Sequence, residues 1–220
     1  MSAIPFVLGA DDYGIAPGVG RGIRYLLAKR RLSATSCLVV SPHFAAEAPA
    51  LRELRADADI GLHLALTQFA PLGPMKRLAP LGRLPGTGKL ILLAHAGRLD
   101  AGEIGQEIDR QIDAFARAFG RMPDYVDGHH HVQQLPVVRE ALLARYGARL
   151  PGGTALRVCA EPYGAILRRG VSVPRAALIP GYRQCCCGRG RSRGRSAARV
   201  PAGPRPRPPG SVRNTSAFGE

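Results

Sequence analysis

An α/β fold on a mostly parallel sheet is predicted by two features of the chain. Short apolar, β-prone runs recur along the first 180 residues, and segments with helical spacing separate several of them. Charged and imidazole side chains gather at the ends of three of these runs, where parallel α/β sheets carry their function. Repeated βα units suit either an open, doubly wound sheet or a closed barrel.

The runs Ile4 to Ala10, Thr35 to Ser41, Ile60 to Leu66, Tyr125 to Val132 and Ala155 to Cys159 read as strands. Val19, Ile23, Leu26 and Leu27 line one face of a first helix. Ile104, Ile108, Ile112, Phe115 and Phe119 give the clearest helix, with Asp100 and Glu103 in capping-box spacing, Gly120 at its end and Pro123 beyond. A further helix is expected from Pro136 through Val138, Leu142 and Leu143 to about Gly147. Residues 68 to 98, rich in Pro and Gly, form a connection too long to be a plain linker.

The 220 residues are 45% hydrophobic, enough to bury a core. None of the apolar runs approaches the roughly 20 residues of a membrane span. The start of the chain has no secretory pattern, and five cysteines make no disulfide scaffold, so a cytoplasmic protein is expected. The net charge is +15, but residues 181 to 220 hold nine Arg against one acid and contain no Leu, Ile or Met. Residues 1 to 178 therefore read as one domain. Residues 179 to 220 read as an Arg/Gly/Pro-rich disordered tail, with a reading-frame error, an inert tail and a nucleic-acid-binding arm as the competing explanations.

Asp11-Asp12 ends the first strand, His63 lies on the third, and the fourth runs into Asp127-Gly128-His129-His130-His131. Adjacent carboxylates repel unless a cation or a shared proton relieves them. Imidazoles from His63 and the histidine run would complete an oxygen and nitrogen site for zinc, manganese, iron or nickel, and a tolerable one for magnesium. Such a site points to metal-assisted hydrolysis, with a free carboxylate as base. The plainer readings are a turn or cap for Asp11-Asp12 and a core position for His63. In a continuing strand, His129 and His131 would share a face and His130 would point away. Gly18, Gly20 and Gly22 do not complete a dinucleotide fingerprint and are expected to permit close helix packing. Ser36, Ser41 and Cys37 have no adjacent base pattern that would mark a nucleophile, Cys37 and Cys159 read as buried small residues, and His43 and His95 as incidental.

Three stretches carry a resemblance: Ala10-Asp-Asp-Tyr-Gly-Ile-Ala-Pro-Gly-Val-Gly-Arg-Gly-Ile23, Gly61-Leu-His-Leu-Ala-Leu-Thr67 and Asp127-Gly-His-His-His-Val-Gln133. In order and spacing they resemble the YdjC family of carbohydrate deacetylases. The resemblance implies a distorted (β/α) barrel of the polysaccharide-deacetylase-like type that removes N-acetyl groups from acetylated amino sugars or chitooligosaccharides. It implies one divalent metal, magnesium or zinc, held by Asp12, His63 and His129. By the same resemblance Asp11 is the general base, His131 lines the substrate site or stabilises the intermediate, and Arg157 lies near the substrate. A homodimer is also implied. Three departures stand out: Gln133 replaces a histidine of many relatives, no histidine follows His131, and the later family segments are missing. The barrel is therefore expected to be incomplete at its C-terminal end and activity to be impaired. The alternatives are a metal hydrolase for another amide or ester, and a nucleic-acid-binding protein acting through the tail.

Overall fold

The computed structural model describes residues 7–55, 58–159 and 167–168. It confirms the α/β class. Five strands, β1 (Gly9–Tyr13), β2 (Ala34–Cys37), β3 (Asp59–Leu64), β4 (Tyr125–Gly128) and β5 (Ala155–Leu156), form one sheet in the order β1-β2-β3-β4-β5. All four pairings are parallel. Helices α1 (Pro17–Ala28), α2 (Phe44–Arg52), α3 (Thr87–His95), α4 (Ala101–Phe119) and α5 (Val138–Arg149) make the connections. Strand order follows chain order, so the sheet has no switch point of the doubly wound kind. Among the described residues β1 and β5 each pair on one side only, and barrel closure is not seen.

The sheet is nevertheless strongly curved. Four strand spacings of about 4.8 Å would put β1 and β5 about 19 Å apart in a flat sheet. Yet Arg157, just after β5, reaches Asp11 of β1 at 2.8 Å. The alternation of strand side chains explains what each face does. Ile60, Leu62, Leu64 and Val126 are fully buried in the core, to which α4 contributes Ile104, Ile108, Ile112, Phe115 and Phe119. The concave face carries small residues low down, Gly9, Ala34 and Gly61, and polar ones toward the C-terminal ends, Ser36, His63 and Asp127. A cavity of 650 Å³ runs along it from Gly9 and Ala34 to Asp11 and Arg157. Gly61 is required there, because a Cβ would lie 2.6 Å from the Tyr125 ring.

Several element boundaries differ from the sequence expectation. β1 extends through Asp11 and Asp12 to Tyr13, because a bulge sets two residues, Asp11 and Asp12, opposite one residue of β2, Ser36. β4 stops at Gly128: His130 and His131 take left-handed backbone, with φ of 54° and 58°, and turn the chain out of the sheet. His129 and His131 therefore do not share a strand face. In α1 only Ile23 and Leu27 of the expected stripe are buried, while Val19 and Leu26 are about 40% exposed. Gly20, not Gly18 or Gly22, is the close-approach glycine, packed against Glu47 of α2. The helix expected from Pro136 begins at Val138. α4 matches its expectation, with Asp100 Oδ1 accepting from Glu103 N–H and Gly120 closing it at φ 66°.

Residues 68 to 98 contain α3 and are tied down by α4. Buried Glu107 accepts from Leu72 N–H at 3.0 Å, and Glu103 accepts from the N–H groups of Arg77 and Leu78. Gln111 bonds both backbone groups of Ala65. The expectations for residues 179 to 220 lie outside the described residues. No helix among the described residues is long and apolar enough to cross a membrane.

Substituting Gly61→Ala is expected to lower stability by about 1–3 kcal/mol through overpacking against Tyr125. Urea unfolding monitored by circular dichroism measures it, and an unchanged midpoint would contradict the close packing.

Candidate metal centre

The bulge in β1 decides the geometry of the site. Two consecutive strand residues would face opposite sides, but Asp12 sits at φ 63°, in the left-handed region. The kink sends the two carboxylates to different partners. Asp12 Oδ1 lies 2.8 Å from His129 Nδ1 and 3.2 Å from His63 Nε2. Asp11 turns to Arg157, whose Nη1 reaches its Oδ1 at 2.9 Å and its Oδ2 at 2.8 Å.

His63 is placed by register. It pairs directly with Asp127 across β3 and β4, and its Nδ1 stands 2.7 Å from Asp127 Oδ1. Ser36 on β2 donates to Asp127 Oδ2 at 3.1 Å, and Arg157 donates to the same oxygen at 3.1 Å. Asp127 is 1% exposed and Ser36 fully buried. Such burial removes Ser36 from any role as nucleophile and makes it a support for the carboxylate. With Nδ1 held by Asp127, His63 presents Nε2 toward Asp12.

The charges reinforce this arrangement. Hydrogen bonds from His129 and then His63 hold the Asp12 carboxyl well below the usual carboxylate range. Burial alone would lower the His63 pKa, but its bonds to Asp12 and Asp127 outweigh that and raise it from 6.5 to about 9. His131 is pushed down, first by burial and then by the Arg157 charge.

These residues fit a divalent cation. Asp12, His63 and His129 each offer a ligand atom, all within 4.8 Å of one another. His129 Nε2 is buried with no partner among the described residues, a cost that a bound group could relieve. The second nitrogen of His63 rests on a buried carboxylate, the usual support of a metal-binding imidazole. His131 stands outside this group: its Nδ1 lies 3.4 Å from Cys159 Sγ. His130 is exposed, stacks on His129 with ring centroids 4.0 Å apart, and bonds Thr67 and Thr87.

The structure thus brings the three expected ligands together, sets Asp11 and Arg157 beside them, and places His131 near Arg157. Sequence reasoning did not single out Asp127 and Ser36 as site residues. The signal for Asp127 was its position opposite His63 in a parallel register, which needs the strand alignment. Thr87 and Phe69, whose ring centroid is 5.8 Å from that of His129, come from the long connection and had no sequence signal, while Thr67 closes the 61–67 motif and was not singled out.

The family model described as YdjC-like protein matches residues 5–197. The chain belongs to the YdjC-like family. The match runs past residue 178 into the arginine-rich segment. Chitooligosaccharide deacetylase of Enterobacter sp. (strain 638) is 33% identical over 177 residues, which cover 80% of this chain and 66% of that protein. Chitooligosaccharide deacetylase of Serratia marcescens is 37% identical over 134 residues, 60% of this chain and 51% of that protein. The YdjC-like chain described here therefore spans between half and two thirds of these relatives. A crystal structure from Enterococcus faecalis V583, described as a candidate cellobiose-phosphate cleavage protein, aligns with a TM-score of 0.58 and 25% identity. It covers 80% of this chain and 63% of that one.

Without metal, the protonated His63 contributes stability that is fully present below its unfolded pKa of 6.5 and is lost as pH rises through about 9. Thermal melts of chelator-treated protein, compared with His63→Gln, are expected to show this decline over that interval. Divalent-ion affinity, measured by calorimetry, is expected to rise over the same interval as the competing proton leaves. A level stability difference would contradict a charged His63.

Proposed function

We propose that this chain is a divalent-metal-dependent hydrolase that removes N-acetyl groups from acetylated amino sugars or chitooligosaccharides. The observation that carries the reading is the convergence of Asp12, His63 and His129 beside a separately held carboxylate, Asp11. The relatives named chitooligosaccharide deacetylase support the substrate class. Two imidazoles and one carboxylate suit zinc, manganese or iron better than magnesium.

A divalent ion held by Asp12, His63 and His129 would supply Lewis acidity, making water more acidic and polarising the acetyl carbonyl. Asp11 then accepts the proton of the attacking water while its oxygen bonds to the acetyl carbon. Arg157 grips both Asp11 oxygens and fixes the direction of that carboxylate. His131, neutral at neutral pH, carries its hydrogen on Nε2 where the Cys159 thiol donates to Nδ1. That hydrogen can bond the carbonyl oxygen as negative charge develops. The proton taken up by Asp11 then passes to the amine nitrogen as the carbon–nitrogen bond breaks, releasing acetate and the free amino sugar.

Arg157 is tied to two carboxylates, so its contact with substrate falls to its remaining nitrogens, on a side chain that is 45% exposed. The free thiols of Cys37 and Cys159 suit a reducing cytoplasm. The arginine-rich segment expected as a nucleic-acid arm lies outside the described residues.

Acetate release from N,N′-diacetylchitobiose by ion-loaded protein is expected to vanish with chelator. Asp11→Asn is expected to lower the rate by about 10²–10⁴ while leaving the ion bound. Release that ignores both treatments would sink the mechanism. Release only from another amide or ester would move the reading to a different substrate.

A further inference from the structure

We propose that the Arg157 guanidinium occupies the place of a second cation, so that the centre accepts one divalent ion and Asp11 stays free of metal. The inference rests on the metal reading above but not on its substrate. Two groups of ligand atoms converge within 4.8 Å, and they share one imidazole: Asp12, His63 and His129 form the first, Asp11, His63 and Asp127 the second. Two carboxylates flanking an imidazole would ordinarily invite a cation of their own. The second group already holds one. Arg157 Nη1 lies 2.9 and 2.8 Å from the two oxygens of Asp11 and 3.1 Å from Asp127 Oδ2.

One partner of this internal ion, Asp127, is fixed from the far side. Asp127, buried at 1% exposure, takes Ser36 on Oδ2 and His63 Nδ1 on Oδ1, so both of its oxygens are engaged before Arg157 is counted. A buried carboxylate without a counter-charge would be costly, and Arg157 supplies that charge permanently because a guanidinium does not deprotonate. A second divalent ion would have to displace the guanidinium and compete for the His63 Nδ1 position now facing Asp127. Asp11 would then become a ligand and lose the freedom to accept a proton. Arg157 thus separates two carboxylates that are adjacent in the chain into a ligand, Asp12, and an uncoordinated base, Asp11.

Equilibrium dialysis of the full chain against Mn²⁺, with metal analysis and electron paramagnetic resonance, tests this. The wild type is expected to hold one ion per chain, with the signal of an isolated Mn²⁺. Arg157→Ala is expected to hold two, the second more weakly, with the exchange coupling of a close pair that surface ions do not give. Arg157→Gln, neutral but still hydrogen-bonding, carries the same expectation should the alanine variant fail to fold. Arg157→Lys retains a cation and is expected to hold one. Arg157→Ala combined with Asp127→Asn is also expected to return to one. A coupled pair in the wild type, or a single ion in both Arg157→Ala and Arg157→Gln, overturns the inference. No ion in the wild type overturns the metal reading first.

Discussion

Two carboxylates joined by one peptide bond must be kept from repelling each other, and the rest of the site depends on how the chain does it. The bulge at Asp11-Asp12 turns Asp12 into left-handed backbone and aims it at two imidazoles, leaving Asp11 to the guanidinium of Arg157. A left-handed non-glycine residue costs of order 1–3 kcal/mol and persists only where its surroundings hold it. Here those surroundings are His63, His129 and the fully buried Tyr13, whose hydroxyl donates to Glu47 O at 2.7 Å. Two further residues with positive φ, His130 and His131, stand across the same site, so three of the six such non-glycine residues among those described lie there.

The scaffold converts strand register into chemistry. Parallel pairing sets His63 opposite Asp127, and Ser36 on the neighbouring strand completes the cradle. Curvature of the sheet brings Arg157 back to Asp11 across five strands. The long connection is held by the buried carboxylate of α4, the α4 amide holds Ala65 just before it, and Thr67 and Phe69 at its start back the histidine run. Site and scaffold therefore share their polar groups: Asp127 is both a buried strand residue with satisfied hydrogen bonds and the link between His63 and the guanidinium that holds Asp11.

Much of this was legible in the residues. Spacing alone placed α4 with its cap and closing glycine, and the family resemblance of the three motifs implied that Asp12, His63 and His129 converge. What failed did so for physical reasons. The histidine run looked like a continuing strand because β-prone residues flank it, whereas three bulky imidazoles gain partners only by leaving the sheet in left-handed turns. α2 carries Pro49 and α3 lies in a Pro/Gly-rich stretch, so neither gave a clean period. Asp127 was visible as a residue, but its function depends on register, a property of strand pairs that no single segment encodes. The Asp11-Asp12 bulge was likewise invisible, since a one-residue insertion leaves the local composition unchanged.

Asp12, His63 and His129 together form the proposed metal-binding face of this protein. X-ray absorption at the zinc edge of the one-to-one complex tests it most directly. Two imidazole nitrogens and oxygen ligands at about 2.0–2.2 Å are expected, with one imidazole lost in His129→Ala. A shell containing sulfur at about 2.3 Å, or one unchanged by His129→Ala, would contradict it.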